Sequence, residues 1–253
     1  MSNCKRIAVL LIASCIPIVA LASTEDQLQT AASSGKAAFV LVTGPGAIGV
    51  DEARQTIEGA MNKSPGSVMI ESDRADASNA TFVEKYGLAA APIPLILVFA
   101  SNGVIAGGNV AANLTVQQLV TLIPSPKKSE VLYAIQSGQA VYVAAARPGM
   151  TKQADVSKNC AMACAQMMGK SVTIDVNMDD PAETVFLSQL GVNMQSAEPV
   201  TVVVNAKGQV TATYTGVVEA GSLTASATKV ASSGCCPSGS GKSCPPPAKK
   251  GGN

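Results

Sequence analysis

Apolar and polar positions along this chain fall into short blocks with two distinct periods. "AAFVLV" (37–42) and "AVYVAA" (140–145) are apolar runs of strand length that include β-branched and aromatic residues, and they read as a strand in each half. "SVMIES" (67–72) and "SVTIDV" (171–176) read as a further strand in each half. Residues 50–62 and 154–168 carry apolar side chains at three- and four-residue spacing, which predicts amphipathic helices. Further helices are predicted over 25–33 and 130–136, with short ones ending at Gly87 and Gly191. An apolar strand opened by Pro94 or Pro199 then turns through "SNG" or "AKG" into an antiparallel hairpin. A last helix closes each half, and Thr115 and Gln118 have capping-box spacing in the first.

The duplicated order of elements is also a duplicated sequence. "QTAASSGKAAFVLVTGPG" (29–46) lies without a gap over "LYAIQSGQAVYVAAARPG" (132–149). After one inserted residue "TFVEKYGL" (81–88) meets "VFLSQLGV" (185–192), and after another "IPLILVFASNGVIA" (93–106) meets "EPVTVVVNAKGQVT" (198–211). The chain therefore divides into residues 1–22, a domain at 23–123, a linker at 124–128, a second domain at 129–230 and a tail at 231–253.

The repeat bears on a motif that would otherwise mislead. Gly44-Pro45-Gly46-Ala47-Ile48-Gly49 reads G-x-G-x-x-G after a strand, with Glu71 and Asp73 near where a ribose-binding acid would stand. A dinucleotide fold continues with parallel crossovers, whereas this chain enters a hairpin. The second copy has "AARPGMTKQ" in place of "VTGPGAIGV", so two of the three glycines are gone. The motif is read as a strand-to-helix turn, and no NAD is expected.

Composition narrows the chemistry. Hydrophobic content of 47% with 14% charge supports real cores in the 253-residue chain. A net charge of +1 with dispersed lysines and arginines gives no footprint for nucleic acid. There is no histidine, which excludes His-based acid–base catalysis, His-paired nucleophiles and His-containing metal sites. Lys5 and Arg6 precede an apolar stretch ending in Ala20-Leu21-Ala22, the layout of a signal peptide cleaved before Ser23. Ile12-Ala13-Ser14-Cys15 also fits a loose lipobox, which would leave a lipoprotein anchored through Cys15. Either reading, or a retained membrane anchor, places the bulk of the chain outside the cytoplasm, in the periplasm or the extracellular space.

The order α-β-α-β-α-β-β-α, with a proline before the penultimate strand, resembles the thioredoxin-like fold in both copies. "VEKYGLAAAPIPLILVFASNG" and "LSQLGVNMQSAEPVTVVVNAKG" carry the resemblance, being similar to that family's stretch from third helix through cis-proline to hairpin. It implies an α/β fold of two tandem domains, each a central mixed sheet flanked by helices, followed by a disordered tail. It also implies cis-prolines at Pro94 and Pro199, with Ile93-Pro94 and Glu198-Pro199 as the loops of a peptide-binding face. The family's redox pair, Cys-x-x-Cys at the start of the helix after the central strand, is missing. The matching windows, 47–51 and 150–154, contain no cysteine. Both domains are expected to be redox-silent.

Seven cysteines occur elsewhere. Cys160 and Cys164 share one helical face and lie over Ile57 and Met61 of the first copy, which suits core packing; a soft-metal pair is the competing reading. Cys235, Cys236 and Cys244 sit in a Gly/Ser/Pro/Lys-rich tail that cannot form a core. They are candidates for a copper or zinc ion, for thiol contacts, or for a disulfide-linked homodimer. Asn79-Ala80-Thr81 and Asn113-Leu114-Thr115 are glycosylation sequons. Together these features describe an exported, non-catalytic module that binds a protein or peptide partner and bears a thiol- or metal-binding tail. The alternative is an unconventional thiol–disulfide oxidoreductase or metal-handling protein that uses the tail cysteines.

Overall fold

The computed structural model describes residues 22–230. Residues 1–21 and 231–253, with Cys15, Cys235, Cys236 and Cys244, lie outside the described residues. The first copy runs α1 (Thr24–Ser33), β1 (Ala37–Thr43), α2 (Val50–Lys63), β2 (Ser67–Asp73), α3 (Ala80–Lys85), β3 (Leu95–Phe99), β4 (Ile105–Val110) and α4 (Val116–Leu122). The second repeats it as α5 (Pro126–Gln136), β5 (Ala140–Ala146), α6 (Gln153–Gln166), β6 (Ser171–Asn177), α7 (Thr184–Gln189), β7 (Val200–Val204), β8 (Val210–Thr215) and α8 (Ala220–Ala227). By contact the elements gather into two compact units. Unit one is the described chain up to Gln136 with Asp180–Phe186; unit two is Ser137–Asp179 with the described chain from Leu187.

Each sheet has four strands, ordered β2-β1-β3-β4 and β6-β5-β7-β8. β1 is parallel to β2 and antiparallel to β3, which pairs antiparallel with β4; the second sheet has the same pattern. This is the thioredoxin-like topology in both copies, and the antiparallel third strand removes the dinucleotide-fold reading of the glycine motif.

The core follows from β1. Its residues 37–42 are all buried, so both sheet faces need a cover. Ala38, Val40 and Val42 pack with Leu28, Phe82 and Phe99 on one face, while Phe39 and Leu41 pack with Ile57, Ile96 and Leu119 on the other. On the first face Tyr86 meets Phe82 and Phe99 at ring-centroid distances of 5.0 and 5.5 Å, adding tilted and edge-on aromatic contacts.

Helix starts are fixed by polar side chains, some visible in the sequence and some not. Thr115 and Gln118 form the expected capping box, and Ser23 and Asp26 form a second one at α1. Asp76 and Asp180 cap the 3-10 turns Ala77–Asn79 and Pro181–Glu183. Asn79 then holds the start of α1, taking hydrogen bonds on Oδ1 from the Thr24 N–H (3.0 Å) and hydroxyl (2.8 Å). Its amide donates to the Asp73 carbonyl at 3.0 Å. Glu183 does the same work for α5, accepting from the Lys127 N–H at 2.9 Å and the Ser125 hydroxyl at 2.6 Å. An anionic acceptor at a helix N-terminus is also favoured by the backbone dipoles.

Two expectations change here. Residues 126–128, read as linker, form the first turn of α5, because Pro126 sits at the first helical position, where its missing N–H costs nothing. The Asn79 sequon is buried and bonded, so the folded chain has no room for a glycan there. Asn79→Ala strips two acceptor bonds and one donor bond from buried groups and is expected to destabilise unit one by about 2 kcal/mol, read from urea denaturation by circular dichroism. Serine at this position should recover part of the loss.

Candidate functional site

The site expected from the sequence is where the turn after β1 faces the proline before β3. In unit one the chain leaves β1 at Thr43, turns through residues 44–49 and enters α2 at Val50. Gly49 is the N-cap of α2 with φ of 83°, a left-handed conformation that suits glycine. Ile48, directly before it, is 88% exposed, although it is a large apolar side chain. Opposite lies Ile93-Pro94, the one cis peptide among the described residues. Ile48, Gly49, Ile93, Pro94, Ala111 and Leu114 line a groove of about 500 Å³ between them, with Glu52 and Thr56 of α2 on its wall.

Unit two builds the same place differently. The Glu198–Pro199 bond is not cis, contrary to the expectation for Pro199. Ser196 clasps Glu198 on both sides: its Oγ donates to the Glu198 carbonyl at 2.6 Å and accepts from the Glu198 N–H at 3.2 Å. That clasp sets the carbonyl of the very peptide that precedes Pro199, and the first copy has no serine at the matching residue, Ala91. The Glu198 carboxylate pairs with Lys152 at 2.6 Å, so an ion pair spans the face that is apolar in unit one. Lys152 replaces Gly49 and keeps its left-handed backbone, with φ of 71°.

An arginine stabilises the proline loop in each unit, from opposite strands. Arg74, just after β2, donates to the Ala91 carbonyl at 2.7 Å. Arg147, just after β5, donates to the carbonyls of Ser196 (2.9 Å) and Met194 and to Asp179 (3.0 Å). In the repeat Arg147 aligns with Gly44, and Arg74 aligns with Met178. The exchange is steric: a Cβ on Gly44 would stand 3.1 Å from Arg74 Cγ and 3.3 Å from Ile93 Cδ1. The first glycine of the G-x-G-x-x-G motif thus makes room for an arginine that serves the proline loop. Glu71, the supposed ribose acid, is held by Arg54 at 2.7 Å, and Asp73 accepts from the Ala75 N–H at 2.8 Å.

The helical cysteines lie apart from this face. Cys160 is fully buried in the core beneath α6, as the repeat suggested, and Cys164 is partly exposed one turn on. Burial pushes the Cys160 thiol up to about 11, with the nearby Thr201 hydroxyl opposing the shift. Among the described residues no three His, Cys, Asp or Glu side chains gather as a metal cluster, and no helix is long and apolar enough to cross a membrane. Ile48, Lys152 and the two arginines were missed in the sequence. The Gly44/Arg147 and Arg74/Met178 exchange was present in the aligned repeat as a paired swap.

Comparison with known proteins adds context. No family model matches the chain, and no curated protein matches it. Among solved structures it is similar to the zinc-bound form of human ERp44, at 10% identity over 81% of this chain and 57% of that one, TM-score 0.35. It is also similar to the first two thioredoxin domains of Saccharomyces cerevisiae Eps1p, at 10% identity over 82% of this chain and 96% of that one, TM-score 0.30. A designed protein matches at 16% identity over 40% of this chain and 90% of that one, TM-score 0.33.

Two outcomes follow from this geometry. Lys152→Gly is expected to stabilise unit two by about 1 kcal/mol in thermal melts, because relief of a left-handed residue outweighs loss of an exposed ion pair. For Cys160 the folded pKa lies above the ordinary 9.0, so the folded state keeps a proton that the unfolded chain loses. Stability of the metal-free chain should be intact below pH 9 and fall by about 2 kcal/mol between pH 9 and 11. Cys160→Ile should abolish that part of the fall in urea titrations run across this range.

Proposed function

We propose that the chain is an exported, non-catalytic binding module whose recognition face is the groove beside Pro94 in unit one. The observation that carries this reading is Ile48: an isoleucine 88% exposed at the rim of an apolar groove, on the turn where redox-active relatives of the fold carry cysteine. An exposed apolar side chain of this size beside a concave apolar wall suits contact with an apolar side chain of a partner. The partner is an extended segment of another polypeptide, laid along the proline loop. Unit two is the supporting copy, its equivalent face carrying the Lys152–Glu198 pair in place of open apolar surface. Absence of cysteine from both helix-start windows supports binding without thiol exchange at this face. Cys235, Cys236 and Cys244 add a thiol or soft-metal contact, and residues 1–22 direct export.

The test uses a permanently unfolded, carboxymethylated polypeptide as probe, with binding read by fluorescence anisotropy. Ile48→Asp removes an exposed side chain that the fold does not need. It should weaken binding by at least tenfold, the effect of losing one buried isoleucine contact. Equal affinity of the wild type and Ile48→Asp would reject the groove as the recognition face.

A further inference from the structure

The two units share a backbone but not a core chemistry on the face under their second helix. In unit one that layer is Phe39, Leu41, Ile57, Met61, Met69 and Ile96, apolar throughout. The equivalent positions in unit two are Tyr142, Ala144, Cys160, Cys164, Thr173 and Thr201. Five of these six replacements bring in a hydroxyl or a thiol, and the sixth, Leu41 to Ala144, vacates volume between them. Unit one shows that the fold needs no polar group here.

The polar groups are poorly served by the protein itself. Tyr142 and Thr201 are fully buried, and neither Tyr142 Oη nor Thr201 Oγ1 has a hydrogen-bond partner of good geometry. Ser171 Oγ, beside Tyr142, is in the same position. Leaving several buried hydroxyls unpaired in one layer is costly. They converge on the two sulfurs: Thr201 faces Cys160, Tyr142 lies within electrostatic reach of both thiols, and Thr173 Oγ1 is 3.3 Å from Cys164 Sγ. Asp175 is the charged group facing Cys160 from β6.

We propose that unit two binds one Cu(I) ion between the sulfurs of Cys160 and Cys164, with Tyr142, Thr173 and Thr201 donating hydrogen bonds to the thiolates. Residues four apart on a helix carry Cβ atoms about 5–6 Å apart, a span that a two-coordinate sulfur–metal–sulfur bridge can close. Two thiols with no third His, Cys, Asp or Glu gathered beside them among the described residues suit a soft monovalent ion and not zinc, which takes four ligands. On binding, two S–H bonds break, two S–Cu bonds form and both protons leave to solvent. No electron moves, and the site gains one net negative charge. That charge is what the otherwise unpaired hydroxyls would stabilise. Cys164, partly exposed, gives the ion its way in, and Cys160 closes the site from within.

The experiment uses the full chain with Cys4, Cys15, Cys235, Cys236 and Cys244 replaced by serine, titrated anaerobically with Cu(I) against a chromogenic chelator. One equivalent should be withheld from the chelator, two protons released, and X-ray absorption should show two sulfur neighbours. Cys160→Ile with Cys164→Leu mimics the apolar layer of unit one and should lose binding by at least 100-fold. Tyr142→Phe and Thr201→Val keep both sulfurs and should each weaken binding about tenfold. No copper withheld from the chelator, or equal binding after both cysteines are replaced, would overturn the site. Unchanged affinity in both hydroxyl variants would overturn the role of the donors, whether or not the double cysteine variant folds.

Discussion

Everything in each unit hangs on a central strand with no exposed face. β1 and β5 are buried along almost their whole length, so each must be paired on both edges and covered on both faces. Pairing is met by a parallel strand on one side and an antiparallel strand on the other, and covering by helices above and below. The constraint also locates the proposed recognition face. A strand so enclosed reaches solvent only where it ends, and its C-terminal end is where the turn to the second helix meets the proline loop.

Duplication shows which features serve the fold and which are free to vary. A loop before the third strand must be held, and a guanidinium holds it in both copies, from Arg74 in one and Arg147 in the other. The first helix must be anchored, and an amide does this in one copy and a carboxylate in the other. By contrast, the turn after the central strand carries exposed Ile48 in unit one and an ion-paired Lys152 in unit two. Features conserved in role but not in identity belong to the architecture. Those that differ in chemical character are where the proposed roles of the two units part.

Much of this was legible in the sequence because it depends on period and on local capping. Uninterrupted runs such as 37–42, the helical stripe through Cys160, and the Thr115/Gln118 box each state their structure within a few residues. The repeat laid out the element order and showed that both helix-start windows lack the Cys-x-x-Cys pair. The geometry of Pro199 was not legible, because no local pattern marks an X-Pro bond as cis or trans, and the Ser196 hydroxyl that closes on the Glu198 backbone was equally silent. The start of α5 was hidden by Pro126, which reads equally as linker or as a first helical residue. The exposure of Ile48 could not be read either, since an apolar residue in a turn looks the same whether it faces a core or a groove. The paired exchange of Gly44 and Arg74 against Arg147 and Met178 needed the distance across the strands to acquire meaning.

The central claim is that recognition resides in unit one and not in its twin. Methyl-resolved NMR of the full chain, titrated with an extended apolar peptide, tests it most directly. The account predicts saturable shifts at the methyls of Ile48, Ile93 and Leu114, with the methyls of Met150 and Val200 in unit two unmoved. Shifts confined to unit two, or spread evenly over both copies, would contradict it.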